Sequence, residues 1–112
     1  MIIAVIDGMG GGIGGQIVNY LRQELPSYIE IYGLGTNSIA TSVMLKNHAN
    51  KGATGENAVI VSIKNANVII GPLSITIPNS MMGEVTDRMA TAIADAEALK
   101  ILLPILPENF QL

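Results

Sequence analysis

The sequence has no cysteine and no tryptophan, and it has one phenylalanine and one histidine. Without cysteine there are no disulfides, thiolate metal sites or cysteine nucleophiles. Aromatic residues make up only 4%, and six Lys and Arg stand against nine Asp and Glu, for a net charge of −3. The basic residues form no stripe, and nucleic-acid recognition needs both a basic footprint and stacking side chains, so no nucleic-acid partner is expected. No apolar run approaches the ~18 residues of a membrane span, so no membrane association is expected either. Met1 leads straight into a strand-like run without a charged n-region or a small-residue cleavage site. The expected setting is therefore cytoplasmic, without a signal peptide.

Charged residues are also scarce, at 13% against 49% hydrophobic. An average soluble domain carries about 25% charged residues. A chain of 112 residues is expected to form one domain, burying roughly 65% of its unfolded surface. With so few charges, part of the remaining surface must be apolar, and apolar patches beyond a few hundred Å² usually mark interfaces. A homo-oligomer, most simply a dimer, is the expected assembly.

Residues Ile2 to Ile6 form an uninterrupted apolar run, the signature of a strand buried on both faces of a parallel sheet. Ile13, Ile17, Val18, Leu21 and Leu25 recur at helical spacing until Pro26. Ile29 to Tyr32 reads as a second strand ending at Gly33-Leu34-Gly35. A helical period from Thr36 runs through Ile39, Ala40, Val43 and Met44 and breaks around Asn50-Lys51-Gly52. Residues 56 to 65 suit strand or helix. Helix is preferred, because Gly55-Glu56-Asn57 resembles a start signal and the strand-like Val68-Ile69-Ile70 follows closely. Leu73 to Ile77 reads as extended between two prolines. Met81, Val85, Met89, Ile93 and Ala96 form one apolar stripe, predicting a helix over 80–96 with a Glu84–Arg88 pair at i, i+4. Lys100 to Leu103 reads as a last central strand, and the Ile105–Leu112 tail is expected to pack on the domain or a neighbour. Strands alternating with helices imply βαβ units and a mostly parallel sheet of four to five strands between helical layers.

The turn after the first strand, Asp7-Gly8-Met9-Gly10-Gly11-Gly12-Ile13-Gly14-Gly15, is the main functional signal. Gly10, Gly12 and Gly15 fit G-x-G-x-x-G, while Gly8, Gly12 and Gly14 fit G-x-x-x-G-x-G, a spacing similar to that of short-chain dehydrogenases. Both spacings provide a tight turn and a backbone bare enough for a phosphate to approach. The helix that follows offers free N–H groups and its positive dipole end. Packing alone asks for fewer glycines, each of which costs roughly 0.5–1 kcal/mol relative to Ala.

Hydride chemistry lacks its companions. The acid that binds ribose about 20 positions on, at the end of the second strand, is replaced by Gly35-Thr36-Asn37. Glu30 lies at the wrong end of that strand. Tyr20, Tyr28 and Tyr32 are followed four places on by Glu24, Tyr32 and Thr36, so no Tyr-x-x-x-Lys pair exists. No glycine precedes a lysine, which excludes a Walker A loop.

Ligands of parallel sheets bind beyond the carboxyl ends of the strands. Besides Asp7 and the glycines, three polar clusters fall there: Thr36-Asn37, Thr54 with Glu56-Asn57, and Asn79-Ser80 with Glu84. Each residue alone also serves as a helix cap. Together they predict one pocket for ribose and phosphate, formed by Asp7, Gly8, Gly10, Gly11, Gly12, Ile13, Gly14, Thr36, Asn37, Thr54, Glu56, Asn57, Asn79 and Ser80. Asp7 next to an anion site requires an intervening hydroxyl or metal; Glu56 and Glu84 could complete a magnesium site, although no metal is the preferred expectation. His48 reads as a surface residue.

The segments Asp7-Gly-Met-Gly-Gly-Gly-Ile-Gly14, Gly35-Thr-Asn37, Gly52-Ala-Thr-Gly-Glu-Asn57, Ile70-Gly-Pro72, Asn79-Ser-Met-Met-Gly-Glu84 and Lys100-Ile-Leu-Leu-Pro104 together resemble a family of short bacterial proteins known only as a domain of unknown function. The resemblance spans residues 1 to about 104. It implies a three-layer Rossmann-like fold and brings no activity, substrate or cofactor. The expected function is a nucleotide- or dinucleotide-binding module. The alternatives are a small enzyme using Asp7 and Glu56 on a phosphate ester, or a homo-oligomeric interaction subunit without ligand.

Overall fold

The structure is a computed structural model that describes residues 1–105 and 111. Five strands form one sheet, all of whose pairings are parallel: β1 (Ile2–Asp7), β2 (Glu30–Gly35), β3 (Lys51–Thr54), β4 (Val68–Pro72) and β5 (Leu99–Leu103). Their order across the sheet is β3-β2-β1-β4-β5. Four helices join them: α1 (Gly12–Glu24), α2 (Ser38–Lys46), α3 (Glu56–Ser62) and α4 (Asp87–Asp95). This is the α/β, three-layer, Rossmann-like arrangement expected from the alternating pattern.

Strand periodicity explains the layers. Ile3 and Val5 point to one face and are buried with Val18, Ile31, Ala40 and Met44 beneath α1 and α2. Ala4 and Ile6 point to the other and pack with Val59, Ile69, Met89 and Ile93 beneath α3 and α4. β1 is therefore apolar throughout because it is central and covered on both faces. The chain runs outward from β1 through β2 to β3, then returns to lay β4 on the opposite side of β1. The crevice opened by that reversal, above the carboxyl ends of β1 and β4, is where parallel sheets hold ligands.

Several local expectations are corrected. Lys51–Thr54, expected as a break, is an edge strand whose pairs with β2 run from Tyr32↔Lys51 to Gly35↔Thr54. Residues 56–65 are helical, with a 3-10 turn at Ile63–Asn65, but Leu73–Thr76 is a 3-10 turn and not extended. The helix predicted over 80–96 forms only from Asp87 to Asp95, behind the Thr86 cap. Asn79, Met81, Met82 and Gly83 all have positive φ, which no α-helix accommodates. Glu84 thus lies in a turn, and Arg88 pairs with Glu56 at 3.2 Å instead. β5 is an edge strand and not a central one. The expected packing of the 105–112 tail falls outside the described residues, apart from Ile105 and Gln111. Among the described residues, no helix is long and apolar enough to cross a membrane.

Candidate functional site

The glycine-rich turn joins the central strand to α1. Gly11 N–H donates to the Gly8 carbonyl at 2.9 Å and closes the turn. Gly11 caps α1 with φ +74, and a Cβ there would meet Ala40 Cα at 2.7 Å, so both backbone angle and space demand glycine. A glycine cap offers no side-chain acceptor. Asp7 supplies one from the strand below: its Oδ2 accepts the Gly14 N–H at 2.7 Å. Gly10, Gly12 and Ile13 N–H donate to no acceptor among the described residues.

The remaining glycines divide by what surrounds them. A Cβ on Gly8 would strike Thr36 Oγ1, Met81 Sδ at 2.6 Å and Glu84 Oε1 at 2.8 Å. One on Gly14 would press on Asp7 Cβ at 2.8 Å and Met44 Sδ at 2.9 Å, and one on Gly15 on Val43 Cγ1 at 2.7 Å. A Cβ on Gly10 or Gly12 would meet nothing within 4 Å among the described residues beyond its own chain neighbours and helix backbone, and neither has a positive φ.

Glu84 closes one side of the turn. Its Oε1 accepts from Met9 N–H at 2.9 Å, Thr36 Oγ–H at 2.5 Å and the Asn37 side-chain amide at 2.9 Å. That amide also donates to the Met9 carbonyl at 2.9 Å, and Asn37 Oδ1 accepts from Ala40 N–H. Both amide hydrogens and the amide oxygen of Asn37 are thereby engaged within the protein. The strained Asn79–Gly83 turn makes this possible by aiming Glu84 back toward β1. Ser80 holds the turn's base, donating to the Ser74 carbonyl at 2.5 Å and the Ile77 carbonyl at 2.8 Å.

The two carboxyls behave oppositely. Burial pushes the Asp7 pKa up, outweighing the Gly14 and Gly8 backbone donors, and the nearby Glu84 charge pushes the same way. Burial would also raise Glu84, but the donors Thr36, Met9 and Asn37 together outweigh it and hold that carboxyl below its ordinary value.

The β4 side stays open. A crevice of about 360 Å³ is lined by the turn from Asp7 to Ile13 and, across from it, by Pro72, Ser74, Met81 and Ile105. Asp7, Gly8, Gly10, Gly11, Gly12 and Ile13 of the predicted set line it, and Gly14 lies just behind through its bond to Asp7. Thr36 and Asn37 join the turn through Glu84. Thr54 instead meets Thr41 at 2.7 Å on α2, and Glu56 accepts from Thr86 Oγ–H and Arg88 on α4. Asn57 is exposed on α3, while Asn79 and Ser80 serve the turn that carries Glu84. No cluster of three or more His, Asp or Glu stands together among the described residues. Pro72, Ser74 and Met81 lie outside the set expected from sequence, although the Ile70-Gly-Pro72 segment and the motif ending at Glu84 carry Pro72 and Met81.

A search of curated proteins finds no match for this sequence. The family described as domain of unknown function DUF3842 matches residues 2–112, nearly the whole chain, and the chain belongs to that family.

Proposed function

We propose that this domain binds a nucleotide or dinucleotide through phosphate at the Gly8–Gly15 turn. The observation that carries this reading is the emptiness around Gly10 and Gly12. Packing and backbone angle account for Gly8, Gly11, Gly14 and Gly15, but among the described residues nothing requires glycine at these two positions. They flank the unengaged Gly12 and Ile13 N–H groups, so a bare backbone there lets an anion reach those donors. No Lys or Arg lines the crevice. Charge compensation comes from the N–H groups and a helix dipole worth roughly half a charge; Asp7 lines the same crevice, so a ligand hydroxyl must stand between it and the phosphate, which suits a phosphate ester better than a triphosphate. The test is a thermal-shift panel of nucleotides and dinucleotides. A ligand at 100 times its dissociation constant stabilises the fold by ~2.7 kcal/mol, and Gly12→Ala should abolish that gain. A panel with no stabilising member overturns the reading.

A second reading concerns assembly. Leu99 is 64% exposed and Ile101 46% exposed on edge strand β5, an apolar edge of the kind that pairs with another copy. It supports a dimer through β5. Light scattering behind size exclusion should give twice the chain mass, falling to one chain mass in Ile101→Lys; a monomeric parent sinks the idea.

A further inference from the structure

On a Rossmann-type sheet a dinucleotide spans the switch point, with one ribose over the end of the second strand, where an acidic side chain takes its hydroxyls. In this chain that position already holds a carboxylate. Glu84 reaches it from the turn before α4 and receives the Met9, Thr36 and Asn37 donors that face it. Its Oε1 is committed to those three donors, so a ribose over β2 finds the Thr36 and Asn37 side chains already engaged and only Oε2 of the carboxylate left to receive it.

The β4 side offers the opposite arrangement. Ser74 is only 6% exposed and lines the crevice facing the glycine turn. Its carbonyl accepts from Ser80, but its hydroxyl has no hydrogen-bond partner among the described residues. No side-chain polar atom that is fully shut off from solvent lacks a partner. The Ser74 hydroxyl therefore keeps a small opening, and the crevice is the space its residue lines. A hydroxyl so deeply placed and unpartnered is a donor in want of an acceptor.

We propose that the crevice takes one phosphate monoester, its phosphate held between the Gly12 and Ile13 N–H groups and the Ser74 hydroxyl, and its body lying past the end of β4 against Pro72, Met81 and Ile105. The inference rests on the reading of the turn as a phosphate site and narrows it: the ligand is the size of a mononucleotide or sugar phosphate, and a dinucleotide gains nothing from its second half. The cavity volume, about 360 Å³, lies at the small end of the ~300–1,000 Å³ usual for ligand sites.

Calorimetric titration of the full chain tests this with inorganic phosphate, three monoesters (AMP, GMP and ribose 5-phosphate) and NAD. At least one monoester should bind about tenfold or more tighter than inorganic phosphate, and NAD no tighter than that monoester. Ser74→Ala removes no hydrogen bond within the described protein and should fold normally by circular dichroism. It should weaken the best monoester about tenfold, the loss of one charge-assisted bond. NAD binding tighter than every monoester, or an unchanged affinity in Ser74→Ala, overturns the inference while leaving the phosphate site standing. Monoesters no tighter than phosphate overturn the placement of the ligand body. Failure of all the probes to bind overturns the phosphate site and the inference together.

Discussion

The two sides of β1 make opposite use of the same turn. Toward β2, Gly8 is packed tight under Thr36, Met81 and Glu84, and Met9 N–H and the Thr36 and Asn37 side chains all donate to Glu84. Toward β4, Gly10 and Gly12 line the crevice, where an added Cβ meets nothing among the described residues, with the Ser74 residue buried in the same lining. Glycines that look alike in sequence are thus of two kinds. Some let the protein touch itself, and the others leave room for something else.

Substitutions that cross this boundary should separate the two kinds. The largest effect is expected from Gly8→Ala, whose Cβ enters occupied space and should cost about 2–3 kcal/mol as overpacking. Urea unfolding measures it, and a change below about 0.5 kcal/mol would show that the β2 side is looser than described. Glu84→Ala leaves Met9 N–H, Thr36 and Asn37 without their shared acceptor, a loss of about 1–3 kcal/mol. Its pH dependence has a definite sign. The folded-state pKa of Glu84 is depressed, so its contribution is present above the unfolded value and lost as pH falls through the folded one. The gap between parent and variant should therefore narrow under acid; a constant gap would mean that shape and not charge makes the clamp.

Asp7→Asn should act the other way. Asp7 has a raised pKa, so the folded state binds its proton more tightly than the unfolded one, and stability falls as pH rises through that interval. The variant keeps an oxygen for Gly14 N–H and should be more stable than the parent at neutral pH, with the advantage vanishing in acid. Chemical denaturation at several pH values measures this, and a neutral or negative effect counts against a burial cost for this charge. The smallest effect belongs to Gly12→Ala. Its methyl meets nothing, so the fold should hold or gain up to about 1 kcal/mol while the phosphate response disappears. Retained binding would deny that the open glycines serve a ligand.

Much of the fold was readable because it is local. Ile2–Ile6 and the α1 stripe carry their own periodicity, and burial on both sides follows from it. Lys51–Thr54 carries no such mark, having a single apolar residue besides Gly52, and it becomes a strand only through pairing with β2. The stripe through Met81, Val85 and Met89 was real in part, since Val85 and Met89 are buried. It failed as a helix because Asn79, Met81, Met82 and Gly83 hold positive φ, and Ser80 is pinned to Ser74. The glycine turn was likewise visible, but spacing cannot show which donor an acceptor will take. Thr36 and Asn37 reach the turn through Glu84, while Glu56, equally well placed by sequence, goes to Thr86 and Arg88 on α4. Ser74 carried no signal, because its meaning is a bond left unmade.

The Glu84 clamp also sets an order of events. Met9 and Glu84 are 75 positions apart. In a chain synthesised from its N-terminus at about 5–20 residues per second, the glycine turn exists for roughly four to fifteen seconds before its clamp is made. Contacts of such long sequence separation form late and carry the full loop-closure penalty. The turn is therefore closed on its β2 side only after the chain has been made through β4 and the Asn79–Gly83 turn as far as Glu84.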